Sequence, residues 1–180
     1  MSPIYKQIRE LLQQKGYFAD DPLFSRKENF KNAEFFEQHY DAVIPVFFNE
    51  FLNEYGQDFV WLLCEETLSS DPFKLRMLAK ELAMKGYIVP EGKTEAEYLG
   101  DDPGEDDHVP VELPEKAYVL YCTYDQFAFF EADGTAEDPR VLHFWYEQDS
   151  FRELYSVKTL SELILLSMEK NYTLRSEIKL

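Results

Sequence analysis

The stretch from Ala117 to Tyr172 constrains the fold most, because short apolar runs alternate there with turn signals before one helical pattern. The apolar runs are AYVLYCTY, FAFFE and VLHFWY, and the loop ADGTAEDPR separates the second run from the third. The final segment, TLSELILLSMEKNY, repeats apolar residues at helical spacing. This order predicts an antiparallel strand meander packed against a terminal helix.

Strict alternation divides the first run between two faces, both apolar or aromatic. One face holds Tyr118, Leu120, Cys122 and Tyr124, and the other holds Ala117, Val119, Tyr121 and Thr123. The second run begins at Phe127, after only Asp125 and Gln126. That short separation predicts a hairpin, although the turn lacks the usual Gly. A third strand is predicted over Val141–Tyr146.

The closing helix has a start signal. Thr159 and Glu162 have the spacing of a capping box, in which the threonine hydroxyl accepts the amide three residues on and the glutamate reaches back. The apolar stripe that follows is expected to pack on the sheet as core. Its residues are Leu160, Leu163, Ile164, Ser167 and Met168.

Helical patterns also precede the sheet. Ser2 and Pro3 predict a first helix that ends at Gly16, and residues 17–28 are expected to form a loop. A second helix is predicted over residues 29–40, and Pro45 is expected to open a third that ends at Gly56. The third helix carries an aromatic-rich face that needs a covering layer.

The next segment contains one ambiguous run and one clear helix. Residues 58–64 fit either a buried strand or a helix, and the sequence leaves both open. Asp71 and Pro72 predict the start of a helix with Leu75 on its apolar face, and Gly86 is its expected stop.

A long acidic loop separates the helices from the strands. Between Glu91 and Lys116 the chain has ten acidic residues against two lysines, with Pro and Gly interrupting any periodicity. We therefore predict a single α+β domain over residues 1–180. Its parts are an N-terminal helix and loop extension (1–28), a mainly helical part (29–90), the acidic loop (91–116), and the strand meander with its closing helix (117–180).

Composition limits the classes of partner. The formal net charge is −17, which disfavours direct binding to nucleic acid phosphates or to anionic membrane surfaces. A basic protein partner would be attracted, although composition alone favours solubility as the reason for the charge. Apolar residues make up 45% of the chain and predict a folded globule. The apolar runs are too short to span a bilayer, and the first residues do not resemble a secretion signal, so we expect a cytoplasmic protein.

The sequence contains no recognisable catalytic or metal-binding pattern. His39, His108 and His143 lack zinc-site spacing, and no glycine-rich loop predicts a nucleotide. Cys64 and Cys122 lie in separate apolar runs, which favours buried free thiols. We therefore expect no cofactor, no metal and no enzymatic activity.

Some aromatic residues and one histidine in the sheet allow two interpretations. Tyr121, Tyr124 and Tyr146 could anchor a protein partner, because aromatic residues are enriched at binding hot spots, but burial in the core is the expectation for most of them. His143 could titrate near neutrality, yet a hydrogen-bonded packing role is favoured.

The order of motifs resembles the SUKH superfamily, which includes fungal cell-wall assembly regulators and bacterial toxin-immunity proteins. The segment AVIPVFFNEFLNEYG, residues 42–56, is similar to the superfamily's helix start, with Ile44-Pro45 in the position of Leu-Pro. The run AYVLYCTYDQFAFFEADGTAEDPRVLHFWYEQDS and the later KTLSELI resemble its strand meander and closing helix. The resemblance implies a SUKH-like α+β fold and supplies no catalytic residues.

Together these features favour a non-catalytic protein-binding domain, with an immunity protein that occludes a cognate toxin as the leading hypothesis. If the toxin is a nuclease, its basic groove would suit five carboxylates of the acidic loop. These predicted partner-binding residues are Asp101, Asp102, Glu105, Asp106 and Asp107. The alternatives are a regulatory or scaffold protein without a toxin partner, and a module that binds a small ligand in the aromatic-lined sheet. The oligomeric state is left open.

Overall fold

The computed structural model describes residues 6–8, 10, 31–55, 60–64, 66–84, 111–146, 151–153 and 159–167. Within these ranges, four helices precede the sheet: α1 (Lys31–Tyr40), α2 (Val46–Tyr55), α3 (Val60–Leu63) and α4 (Pro72–Ala83). The strands are β1 (Ala117–Cys122), β2 (Gln126–Glu131), β3 (Leu142–Trp145) and β4 (Arg152–Glu153). Residues 6–8, 10 and 160–167 are also helical, and the last of these ranges is named α5.

The strands form one sheet in the order β1-β2-β3-β4, and each neighbouring pair is antiparallel. The predicted α+β class and the antiparallel meander are therefore confirmed. The two-residue strand β4, which pairs with β3 through Leu142 and His143, was not predicted. Its two residues give too short a segment for an alternating pattern to be visible.

A β-bulge in β1 corrects the predicted alternation. The register with β2 shifts between Val119 and Tyr121, so one extra residue is inserted at Leu120. Leu120 and Tyr121 consequently lie in the same core layer, and Cys122 lies in the opposite layer. The predicted assignment of Tyr121 and Cys122 to faces was therefore wrong, because strict alternation holds only up to Leu120.

The sheet separates two apolar layers. On one face, α1, α2 and α5 contribute core residues that surround Tyr118 and Phe130, including Phe36, Phe48, Leu52 and Ile164. On the other face, α4 packs on the sheet through Leu75, Ala79, Leu82 and Ala83. All six residues of β1 are buried as a result. This two-sided covering explains why β1 is apolar on both faces.

The predicted helix starts at Asp71-Pro72 and at Thr159 are confirmed. The carboxylate of Asp71 accepts hydrogen bonds from the backbone N–H groups of Phe73 and Lys74 at 2.8 and 3.2 Å, and Pro72 opens α4. The hydroxyl of Thr159 lies 3.4 Å from the backbone nitrogen of Glu162, as the capping-box pattern predicts.

The other helical predictions are confirmed in part. α1 and α2 match the second and third predicted helices, and residues 60–63 of the ambiguous run form a single helical turn. α1 ends where Asp41 adopts a left-handed backbone, with φ of 47°. The helical residues 6–8 and 10 fall within the first predicted helix, and Ile8 is fully buried. The loop predicted over 17–28 and residues 91–110 of the acidic loop lie outside the described residues.

Candidate functional site

An open cleft lies between the start of α2 and the loop that joins β2 to β3. Its volume is about 500 Å³, within the range of roughly 300–1,000 Å³ that is usual for ligand sites. The α2 side contributes Val43, Ile44, Pro45, Val46, Phe47 and Glu50. The loop side contributes Gly134, Ala136, Glu137 and Asp138.

Main-chain contacts hold the two sides of the cleft together. The backbone N–H of Val43 donates to the carbonyl oxygen of Ala132 at 2.7 Å, and Val43 forms a parallel bridge with Asp133. On the α1 side, the backbone N–H of Ile44 donates to a carboxylate oxygen of Glu37 at 2.8 Å. These bonds fix the segment before α2 against the end of β2.

Gly134 permits the close approach of the loop to Val43. Its backbone is left-handed, with φ of +77°, a conformation that glycine adopts without steric cost. A Cβ atom at this position would lie 3.2 Å from Cβ of Val43 and 3.3 Å from Cγ2. The Asp133-Gly134 pair therefore sets both the direction of the loop and the width of the cleft at this point.

The far end of the loop is attached to α5. The carboxylate of Asp138 accepts hydrogen bonds from the backbone N–H of Ser161 at 3.0 Å and from its hydroxyl at 2.6 Å. The backbone N–H of Leu160 donates to the carbonyl oxygen of Pro139 at 3.0 Å. Asp138 thus satisfies an N–H group in the first turn of α5, and the loop is held at both ends.

The charged side chains that line the cleft have one sign. Every charged residue among the described residues that line it is acidic, namely Glu50, Glu137 and Asp138. The neighbouring Asp133 is exposed, and its pKa is lowered chiefly because the backbone N–H of Thr135 donates to the carboxylate at 2.9 Å. Apolar side chains remain accessible beside these acids, since Val43 is 53% exposed and Val46 is 76% exposed. The cleft can therefore bind a group that is both apolar and cationic.

The five carboxylates predicted to bind a partner, at positions 101, 102, 105, 106 and 107, lie outside the described residues. The structure therefore does not relate them to the cleft. The sequence prediction in turn missed the cleft, because its walls come from segments about 90 residues apart in the chain. Both segments carry local signals, the Ile44-Pro45 helix start and the Asp133-Gly134 turn, but neither signal shows that they meet.

A second group of accessible side chains lies at the opposite end of the strands. Tyr124, Trp145 and Tyr146 are 86%, 48% and 39% exposed, and the backbone N–H of Tyr146 donates to the carbonyl oxygen of Asp125 at 2.6 Å. Of the three tyrosines considered as partner anchors, Tyr124 and Tyr146 are thus accessible. Tyr121 is buried in the core, and its pKa is raised by burial.

His143 has the packing role that was predicted. It is 6% exposed, and its Nε2 lies 2.9 Å from Oε1 of Gln126. An amide oxygen only accepts, so this contact requires the tautomer that carries the proton on Nε2. The pKa of His143 is lowered, because burial penalises the charged imidazolium more than the nearby Asp125 favours it.

The two cysteines are free thiols in unreactive surroundings. Cys122 is buried, and burial raises its pKa to about 12. Cys64 is half-buried, and burial raises its pKa as well. Because the thiolate is the reactive form, neither cysteine has the character of a catalytic nucleophile. Across the described ranges, no group of three His, Cys, Asp or Glu residues is arranged to hold a metal ion.

Comparisons with protein-family models, with curated proteins and with solved structures found no match for this chain. Among the residues that the structure describes, no helix has the length and apolar character needed to cross a bilayer.

Proposed function

We propose that this chain is a non-catalytic protein-binding domain, acting as an immunity protein that neutralises a cognate basic toxin by covering its functional surface. The observation that carries the proposal is the concentration of negative charge. The net charge is −17, and ten of the acidic residues fall within residues 91–116. A field of this kind accelerates association with a basic protein and selects against acidic ones.

The described residues support a binding role. The cleft beside α2 is lined by apolar and acidic side chains, and aromatic side chains are exposed at the other end of the sheet. Both cysteines are unsuited to nucleophilic chemistry, since burial raises their pKa values. The SUKH-like motif order adds the expectation of toxin neutralisation.

If the toxin is a nuclease, its basic substrate groove is the surface to be covered. Such a groove binds phosphates through Lys and Arg, so the carboxylates of Asp101, Asp102, Glu105, Asp106 and Asp107 would replace the phosphates. Neutralisation by occlusion then requires tight binding of the toxin and no catalytic step. The complex should weaken as salt screens the charges.

Co-purification from the native host tests the proposal. The tagged chain is isolated at low and at moderate salt, and the proteins that accompany it are identified. A stoichiometric basic protein with toxin activity, partly lost as salt rises, supports immunity by electrostatic occlusion. Recovery of envelope or housekeeping proteins alone, with no toxin gene beside the gene for this chain, would favour the regulatory or scaffold alternative.

A further inference from the structure

We infer that the cleft between α2 and the β2–β3 loop docks a segment of the protein partner that carries an apolar side chain beside Lys or Arg. The inference rests on the proposed function, because it names a place where the partner would be held and the chemistry of the group held there. The residues that carry it are described cleft residues, and the five carboxylates of residues 101–107 are not among them.

The apolar part of the ligand follows from the accessible surface. Val43 and Val46 expose 53% and 76% of their surface at the mouth of the cleft, beside Pro45 and Phe47. A partner side chain that covers these groups removes apolar area from water on both molecules, which favours association. A purely ionic ligand would leave this area exposed.

The cationic part follows from the charges. Glu50, Glu137 and Asp138 line the cleft, and no described lining residue is basic. The N-terminus of α2 also borders it, but a helix dipole contributes only about half a positive charge. Asp138 also accepts hydrogen bonds in the first turn of α5, whose dipole adds a similar amount. The two full negative charges of Glu137 and Asp138 still outweigh both dipoles, so the cleft favours a cation over an anion.

Hydrogen bonds also hold the walls of the cleft in place before a ligand binds. Val43 is bonded to Ala132 on one side of it, and Asp138 is bonded to Ser161 on the other. Walls that are already fixed lose little conformational entropy when a ligand binds, so more of the contact energy is retained as affinity. Another copy of this chain is a poor occupant, because two molecules of charge −17 repel each other.

Short peptides and methyl NMR test the inference on the full chain. The probe is acetyl-Gly-Lys-Leu-Arg-Gly-amide, titrated into protein whose valine methyl groups are labelled. Saturable shifts at the methyl groups of Val43 and Val46 are expected, and the Kd should rise severalfold between about 0.05 and about 0.5 M salt. Peptides with Ala in place of Leu, or with Glu in place of Lys and Arg, should bind weakly or not at all.

Two variants locate the binding. Ala136→Trp, at an exposed position in the cleft, should abolish the shifts by filling the space. Distant methyl signals should stay in place and show that the fold is intact. Glu137→Gln should weaken binding severalfold. The matched control is Glu81→Gln, which makes the same charge change on α4, on the other side of the sheet, and should leave the Kd unchanged.

Three results would overturn the inference. The first is the absence of any shift at Val43 and Val46, and the second is equal binding of the Glu-containing peptide. The third is a shift that depends on protein concentration without peptide, which would assign the cleft to a second copy. If the peptide fails while a basic toxin co-purifies, the cleft assignment is wrong and the proposed function stands. If the peptide binds but no toxin is recovered, the proposed function is the one that fails.

Discussion

The guanidinium carbon of Arg76 lies 4.6 Å from the centre of the Tyr40 ring, which joins α4 to the end of α1. The same guanidinium donates from Nη1 to the carbonyl oxygens of Pro114 and Ala117, at 3.0 and 2.9 Å. One side chain thus connects two helices to the start of β1.

Arg76→Met is expected to lower the free energy of unfolding by about 2 kcal/mol, because two charge-assisted hydrogen bonds and a cation–π contact are lost together. The matched control is Lys80→Met, which removes the same charge from an exposed position on the same helix. The control should change the free energy by no more than about 0.5 kcal/mol. Urea unfolding of both variants measures the difference, and equal losses would contradict the assigned role.

Gly134→Ala is expected to destabilise the fold by about 1–2 kcal/mol, the usual cost of a left-handed backbone for a residue with a Cβ atom. The close approach to Val43 adds to this cost. Thermal unfolding measures the loss, and Ala136→Ser in the same loop is the control. A variant as stable as the parent would show that the loop does not need the left-handed conformation at this position.

The buried imidazole predicts a specific pH dependence. The folded pKa of His143 lies below its unfolded value of about 6.5, so the unfolded chain binds the proton first as the pH falls. The contribution to stability is complete above about pH 6.5 and is lost as the pH falls from there through the folded pKa. His143→Gln should therefore show a smaller loss of stability between about pH 7.5 and about pH 5.5 than the parent.

Urea unfolding is measured at several pH values for the His143→Gln variant and for the parent. The carboxylates titrate in both proteins, so the difference between the two stability curves reports the effect of His143. Parallel curves for the two proteins would contradict a depressed pKa at His143. Gln126→Ala offers a second check, because it leaves the Nε2–H group of His143 buried without its acceptor. That variant should lose stability near neutral pH.

Local chemistry explains what the sequence could predict. The Asp71-Pro72 pair and the Thr159 hydroxyl act within three residues of their own position, so their helix starts were predictable. The bulge at Leu120 was not predictable, because it depends on the register that β2 imposes on β1. The end of α1 at Tyr40 agrees with the predicted bound, although Asp41, and not a glycine, takes the left-handed conformation that follows it.

One part of the candidate site could likewise be predicted from the sequence, and another part could not. The acidic loop was visible from composition alone, because charge needs no tertiary contact to be counted. The cleft requires Val43 and Gly134 to meet, and that contact depends on how α2 and the β2–β3 loop pack on the sheet. The accessible apolar surface at Val46 likewise follows from packing, since Phe48 two positions later on the same helix is fully buried.

The central claim is that concentrated acidic charge captures a basic partner. Its most direct test is the association rate constant for the co-purified partner, measured across salt concentrations. Replacing Asp101, Asp102, Glu105, Asp106 and Asp107 together with Asn should slow association about tenfold or more at low salt and flatten the salt dependence.

A matched variant carries five Gln replacements at exposed glutamates elsewhere: Glu10, Glu34, Glu66, Glu81 and Glu131. This variant has the same net charge as the loop variant. It should nevertheless associate nearly as fast as the parent. Slower association of the loop variant alone is the result that the account predicts. Unchanged rates in the loop variant, or equal slowing in both variants, would contradict it.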